Sequence, residues 1–259
     1  MSRQRAAVGA LTLRDSQRSA YCAPRTMADG LLAPVPHGRL TAVDHDVVRK
    51  APLFASLDDE TAAALLASMS RQHMERSDVL FHEGDQGHRL YVIGVGKIKL
   101  GRTSTDGREN LLAILGPGEM FGELSLFDPG PRTATATAVA ETQVLSIGHE
   151  QLGEFLSANP RVAQTLLAAL ARRLRRTNES LADLVFTDVP GRVAKALLDL
   201  SDRFGRPVDS GVMVSHDLTQ EELAQLVGAS RETVNKALAD FATRGWLKLE
   251  ARAVLLLDV

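Results

Sequence analysis

At 259 residues, with 44% apolar and 24% charged side chains and a net charge of −2, the chain has the size of two modest domains and an ordinary globular composition. That balance gives no bulk attraction to nucleic acid, so any such binding needs a local basic face. The single cysteine, Cys22, excludes a disulfide framework, a cysteine-held iron–sulfur cluster and a structural zinc site, and no apolar run approaches the ~20 residues that span a bilayer.

Residues 1–40 mix Arg, Ser, Pro and Gly without a period, which predicts a disordered extension. Its Arg-rich start and short run "AAVGALTL" keep a signal peptide as the competing reading, and Met27 offers a later start. In residues 41–159, "SLDDETAAALLASM" predicts a short helix opened by Ser56, Asp58, Asp59 and Glu60. From Arg71 to Ile147 the pattern changes to short β-prone runs such as "VLFHEG", "RLYVIGVG" and "KIKLGRT". They are closed by "EGDQG", "TDG" and "GPGE" turns, and predict a small β-sandwich or barrel. Inside this region "FGELSLFDPGPRTATATA" sets Glu123, Arg132 and Thr133 around one Gly/Pro loop in otherwise apolar, small-residue surroundings.

Residues 160–187 are helical. Asn159 and Pro160 make an N-cap and first-turn pair, and no Gly or Pro follows until Pro190. Ala163, Leu167, Leu170, Leu174, Thr177, Leu181 and Leu184 keep an unbroken heptad register. A two-stranded coiled coil, and hence a homodimer, is the natural reading; a long helix packed on its own β domain is the alternative. Thr177 is the polar member of that seam. Its hydroxyl either bonds its own helix carbonyl four residues back or, with Asn178, waits for a ligand.

Residues 188–259 open with a second cap-and-Pro pair at "DVPGRVAKALLDLSDRF". In "LTQEELAQLVGASRETVNKALADF", Thr219 and Glu222 have capping-box spacing, Gly228 supplies a turn and Ser230 caps a second helix. That is the layout of a helix-turn-helix, with "GWLKLEARAVLLL" as a two-stranded wing. Arg231, Glu232, Asn235 and Lys236 fall on one face of the second helix, while Val234, Leu238 and Phe241 turn to the core. A solvated charged face is the bland reading, since this segment holds nine Lys+Arg against eleven Asp+Glu. However, Arg231, Lys236, Arg244, Lys248 and Arg252 gather in its second half. Arg and Glu near a helix N-terminus also suit guanine and cytosine edges in the major groove.

Together these residues resemble the cAMP receptor protein branch of the CRP/FNR transcription regulators, most closely its actinobacterial members. The likeness runs over residues 44–257, carried by "FGELSLFDPGPRTATA", "ARRLRRTNESLADLVFTDVPGRVA" and "QLVGASRETVNKAL" in the family's order and spacing. It implies an α+β chain: an N-terminal β-roll, jelly-roll-like, that binds a cyclic nucleotide, then a long dimerisation helix, then a C-terminal winged helix-turn-helix domain. The loop would be a phosphate-binding cassette for cAMP as allosteric effector. By that resemblance Gly122, Glu123, Leu124, Ser125, Arg132 and Thr133 form the cassette, with Glu123 on the ribose and Arg132 on the phosphate. Thr177 and Asn178 meet the purine, one of them from the partner helix. Asn178 stands where the best-known enteric member has serine, which leaves cGMP as an alternative effector; DNA binding largely independent of ligand is a separate alternative. Arg173 would pair with Glu123. Thr219, Gln220, Ser230, Arg231, Glu232, Thr233, Asn235 and Lys236 would contact a palindromic operator with TGTGA-like half-sites, alongside RNA polymerase. The resemblance implies a cytoplasmic homodimer with no enzymatic activity, no metal and no membrane association. An enzyme would need a His/Asp metal cluster that the spacing lacks. A haem sensor would need an axial ligand, and His82 and His88 merely flank a turn.

Overall fold

The computed structural model describes residues 49–257 apart from 105, 106, 108 and 129. The predictions for residues 1–40, with Cys22 and Met27, lie outside those described. Helix α1 (Asp59–Ser68) is capped by Asp58, whose carboxylate accepts from the Thr61 N–H; Ser56 plays no part in the cap. Eight strands follow: β1 (Ser70–Met74), β2 (Val79–Phe81), β3 (Arg89–Val95), β4 (Ile98–Thr103), β5 (Glu109–Leu115), β6 (Met120–Phe121), β7 (Thr135–Ala138) and β8 (Thr142–Gly148). They form two antiparallel sheets, ordered β1-β8-β3-β6 and β2-β7-β4-β5, so the domain is an open roll rather than a closed barrel. The space between the sheets is filled by Met74, Phe81, Tyr91, Ile93, Ile98 and Phe121. A four-residue helix, α2 (Leu124–Phe127), sits between β6 and β7.

The outer face of the first sheet is covered by α1, by α3 (His149–Ala158) and by the first turns of α4 (Pro160–Phe186), through Leu65, Leu152, Val162 and Leu166. Pro160 is in the first turn of α4 as expected. Asn159 precedes it but gives no side-chain cap; its amide donates instead to Phe155 O at 3.0 Å. Beyond Leu166 the helix still touches the roll through Ala169 and Arg173, but its leucine face turns outward. Leu167, Leu174, Leu181 and Leu184 are all more than half exposed. A core helix of a single chain would bury them, so the packed-helix alternative accounts only for the N-terminal turns.

Helix α5 (Val189–Phe204), capped by Asp188, opens the last unit. It is followed by β9 (Gly205–Val208), β10 (Gly211–Val214), α6 (Gln220–Val227), α7 (Arg231–Thr243), β11 (Leu247–Glu250) and β12 (Ala253–Leu256). The expected two-stranded wing is part of a four-stranded sheet, β11-β12-β10-β9. The extra hairpin pairs β10 with β12 (Val212 opposite Leu256), which covers an edge that a two-stranded wing would leave open.

This unit is docked on the roll. Leu111, Ile114 and Val139 belong to the same apolar core as Val193, Leu223 and Phe241. Lys97 reaches Asp217 and the Ser215 carbonyl, Lys99 pairs with Glu222 at 2.6 Å, and Arg203 pairs with Glu119 at 2.6 Å. Burial alone would raise the Glu222 carboxyl, but Lys99 and the Thr219 N–H outweigh it and hold the group below its ordinary value.

Candidate functional site

The loop after β6 makes the first site. Gly122 has φ +82, and a Cβ there would stand 2.8 Å from Arg132 Nη1 and 2.9 Å from the Arg89 carbonyl, so only glycine admits the arginine. The Arg132 guanidinium is buried. It donates from Nη1 to Gly122 O (3.0 Å) and from Nη2 to Arg89 O (3.1 Å), and lies 4.3 Å above the Phe81 ring. Its backbone is fixed as well: Arg132 N–H donates to Asp85 O, and Arg132 O accepts from the Gly84 N–H. The fork is therefore held in position before any ligand arrives.

Glu123 is 3% exposed. Its Oε1 accepts from Arg173 Nη1 of α4 at 3.0 Å, as the sequence led us to expect, while Oε2 is buried with no hydrogen-bond partner. A buried carboxylate oxygen without a donor is costly unless something supplies one. Gly122, Glu123, Leu124, Ser125, Arg132, Thr133 and Arg173 line one cleft, floored by Phe81 and Leu100. Six residues expected of the cassette are thus brought together. Thr177 and Asn178 do not line this cleft. Both are exposed on α4, and the Thr177 hydroxyl donates to its own Arg173 carbonyl at 3.1 Å.

Sequence reasoning missed four contributors. Gly87 lies so close that a Cβ would be 2.7 Å from both Arg132 Nε and Ser125 Cβ. Arg89 acts through its carbonyl, and Phe81 with Tyr91 provides the aromatic bed for the guanidinium. The glycine in "EGDQG" was legible as a turn but not as clearance for a side chain 45 residues away.

The second site is the exposed face of α7. Thr219 and Glu222 complete the expected capping box of α6, and Ser230 caps α7 by accepting from the Thr233 N–H at 3.2 Å. Thr219, Gln220, Ser230, Arg231, Glu232, Thr233 and Lys236 are exposed, while Val234, Leu238 and Phe241 are buried. Asn235 is the exception. It is half-buried, and its Oδ1 is turned inward without a hydrogen-bond partner.

A roll with an anion-suited cleft, a long helix exposing a leucine seam and a helix-turn-helix define a ligand-sensing DNA-binding regulator. The comparisons agree. Residues 71–159 match the cyclic nucleotide-binding domain family, and residues 191–259 match the Crp-like helix-turn-helix domain family. The chain is 54% identical over 213 residues to a CRP-like cAMP-activated global transcriptional regulator of Mycobacterium tuberculosis, covering 82% of this chain and 95% of that one. It is 38% identical over 216 residues to the cyclic AMP receptor protein of Thermus thermophilus, covering 82% and 97%. Among solved structures it is similar to the c-di-GMP-responsive global regulator CLP of Xanthomonas campestris, with TM-score 0.67 and 28% identity over 77% of this chain and 99% of that one. The chain belongs to the CRP family of transcription regulators. Among the described residues no group of His, Cys, Asp and Glu is arranged to hold a metal ion, and no helix is long and apolar enough to cross a membrane.

Proposed function

We propose that this protein is a homodimeric transcription regulator that binds cAMP in the β6–β7 cleft and, in response, a palindromic operator with TGTGA-like half-sites through α7, acting on RNA polymerase. The observation that carries the reading is the cleft itself. It joins a pre-positioned guanidinium, suited to a cyclic phosphodiester monoanion through paired charge-assisted bonds, to a buried carboxylate oxygen lacking a donor, suited to a free ribose 2′-hydroxyl. Thr133 adds a hydroxyl at the phosphate end. The names of the Mycobacterium and Thermus relatives favour cAMP over other cyclic nucleotides.

The dimer reading rests on the exposed heptad leucines of α4, which a second copy of the helix would cover. In that dimer Thr177 and Asn178, about one turn past the cleft-lining Arg173 on α4, would meet the purine, one of them from the partner helix. The test is isothermal titration with cAMP, cGMP and c-di-GMP, followed by gel shift on a palindromic duplex. Tight cAMP binding that strengthens the shift supports the reading. Preference for either of the other nucleotides, or no binding at all, refutes it.

A further inference from the structure

Only Thr187 and Asp188 separate α4 from α5, and the junction is braced rather than loose. Arg192, in the first turns of α5, donates three hydrogen bonds from one guanidinium. Nη1 reaches Thr187 O at 2.8 Å, Nε reaches Val227 O at 2.9 Å and Nη2 reaches Gly228 O at 3.3 Å. The first carbonyl belongs to the link that leaves α4. The other two belong to the turn between α6 and α7, where the last carbonyls of a helix have no partner inside it. A planar fork of fixed donors ties these two segments in one geometry, as a flexible ammonium would not.

Further contacts close the block. Gly228 is left-handed (φ +64), and Leu184 Cδ2 lies 2.9 Å from where a Cβ on it would stand, so the last turn of α4 abuts the same turn. Asp183 accepts from the Thr187 hydroxyl at 3.0 Å and pairs with Lys195 of α5. Two residues past Gly228, Ser230 caps α7 and Arg231 begins it. The end of the helix that carries Arg173, and the start of the helix that carries Arg231, are therefore joined through one side chain.

We propose that Arg192 is a positioning residue that makes the end of α4, the link and the α6–α7 turn a single rigid block. A shift of α4 set by nucleotide in the cleft then reaches the recognition helix without slack. The proposal rests on the reading of the cleft as a nucleotide switch. Arg192 lies outside the cleft lining and on α5 rather than α7, so its signature is in the coupling between the two ligands and not in either affinity alone.

The test uses the full-length protein, with cAMP titrated in the presence and absence of a palindromic duplex carrying two TGTGA half-sites. Arg192→Met keeps the reach and removes every donor; Arg192→Lys keeps the charge without the fork. In the wild type the two cAMP affinities should differ by a factor in the range of about 5–150 typical of such couplings. Arg192→Met should cut that factor by about fivefold or bring it to unity, with cAMP affinity in the absence of DNA changed less than twofold, and Arg192→Lys should fall between. A purely structural contact would weaken operator binding equally with and without cAMP and leave the factor intact, and that result in a folded variant overturns the proposal. Should Arg192→Met fail to fold, Arg192→Lys decides in the same way. A wild type that binds cAMP with unit coupling removes the switch and this proposal with it. A coupled wild type with an equally coupled variant removes this proposal alone.

Discussion

Replacing Arg132 with leucine isolates the charge on which the nucleotide reading depends. Among the described residues, the cations lining the cleft are Arg132 and Arg173, and Arg173 is paired with Glu123. A cyclic phosphate in the Arg132→Leu cleft is an anion with its cation removed, a loss of about 3–5 kcal/mol for a buried partner. At about 1.4 kcal/mol per tenfold, that is between about a hundredfold and a few thousandfold in affinity. The fold also feels the change. The Gly122 and Arg89 carbonyls lose a donor at 3.0 and 3.1 Å, at about 1–3 kcal/mol for a buried polar group left unsatisfied. Leucine keeps apolar contact with Phe81 and Tyr91, so a folded dimer is expected. Arg132→Lys keeps the charge and loses the fork, and should lie between wild type and leucine. The assay is cAMP titration of all three proteins, with thermal unfolding and sedimentation to establish that each is a folded dimer. Near-wild-type cAMP affinity in a folded Arg132→Leu protein would refute the reasoning, because among the described residues the other cation lining the cleft, Arg173, is held by Glu123.

Glu123→Ala should weaken cAMP binding less than Arg132→Leu, since it removes a ribose acceptor and frees Arg173; the same titration checks the order, and a larger loss at Glu123 would move the anchor away from the phosphate. Thr177→Ala should lower cAMP affinity in calorimetry, as the hydroxyl exchanges its Arg173 carbonyl for the purine; an unchanged affinity would leave that helix bond as its whole role. Arg231→Ala should cost about 1–3 kcal/mol per half-site and relax the guanine preference in a gel-shift series over base substitutions. Uniform weakening across that series would assign Arg231 to the phosphate backbone.

The parts of the fold that were legible in the sequence are those set by local chemistry. The α7 face followed from period alone, with Val234, Leu238 and Phe241 inward and Arg231 and Lys236 outward. The Thr219–Glu222 capping box and the Gly228 turn were fixed by residue type at fixed spacing. The cassette was legible as a motif, and the Arg173–Glu123 pair, which spans 50 residues, was legible only through the family resemblance. What was hidden depends on contacts distant in the chain. Nothing in "GKIKL" marks Lys97 and Lys99 as the cations that hold Asp217 and Glu222, about 120 residues later. The apolar positions Leu111 and Ile114 read as ordinary strand interior, yet they belong to the core shared with the DNA-reading unit. Period reports which face of an element is apolar, not which element will cover it. The hairpin β9–β10 escaped for a related reason: "GRPVDSGVMV" is short, carries Pro207 and earns its order from pairing with β12.

The same interface gives the protein an acid-sensitive element. His216 is 5% exposed, and its Nδ1 accepts from the Leu218 N–H at 3.0 Å, which requires a neutral ring. Burial pushes the imidazole down from 6.5 to about 4; Lys97 adds to the effect, while Asp217 and Glu222 oppose it. Between those two values the unfolded chain carries a proton that the folded protein does not, so stability rises with pH across that window. The contribution is fully present above pH 6.5 and is lost as pH falls toward 4. At 1.36 kcal/mol per pH unit the whole loss is about 3 kcal/mol. The depressed Glu222 carboxyl acts lower, as pH falls below its ordinary 4.5, so the two effects separate along the pH axis. His216→Asn retains an acceptor for the Leu218 N–H but no proton to gain. Denaturant unfolding at pH 8.0, 7.2, 6.5, 6.0 and 5.0 should show the wild type losing stability faster than His216→Asn on acidification, with the curves parallel above pH 7. Equal slopes between pH 6.5 and 5 would mean that the ring is already free to protonate in the folded protein, and that the docked interface does not seal it.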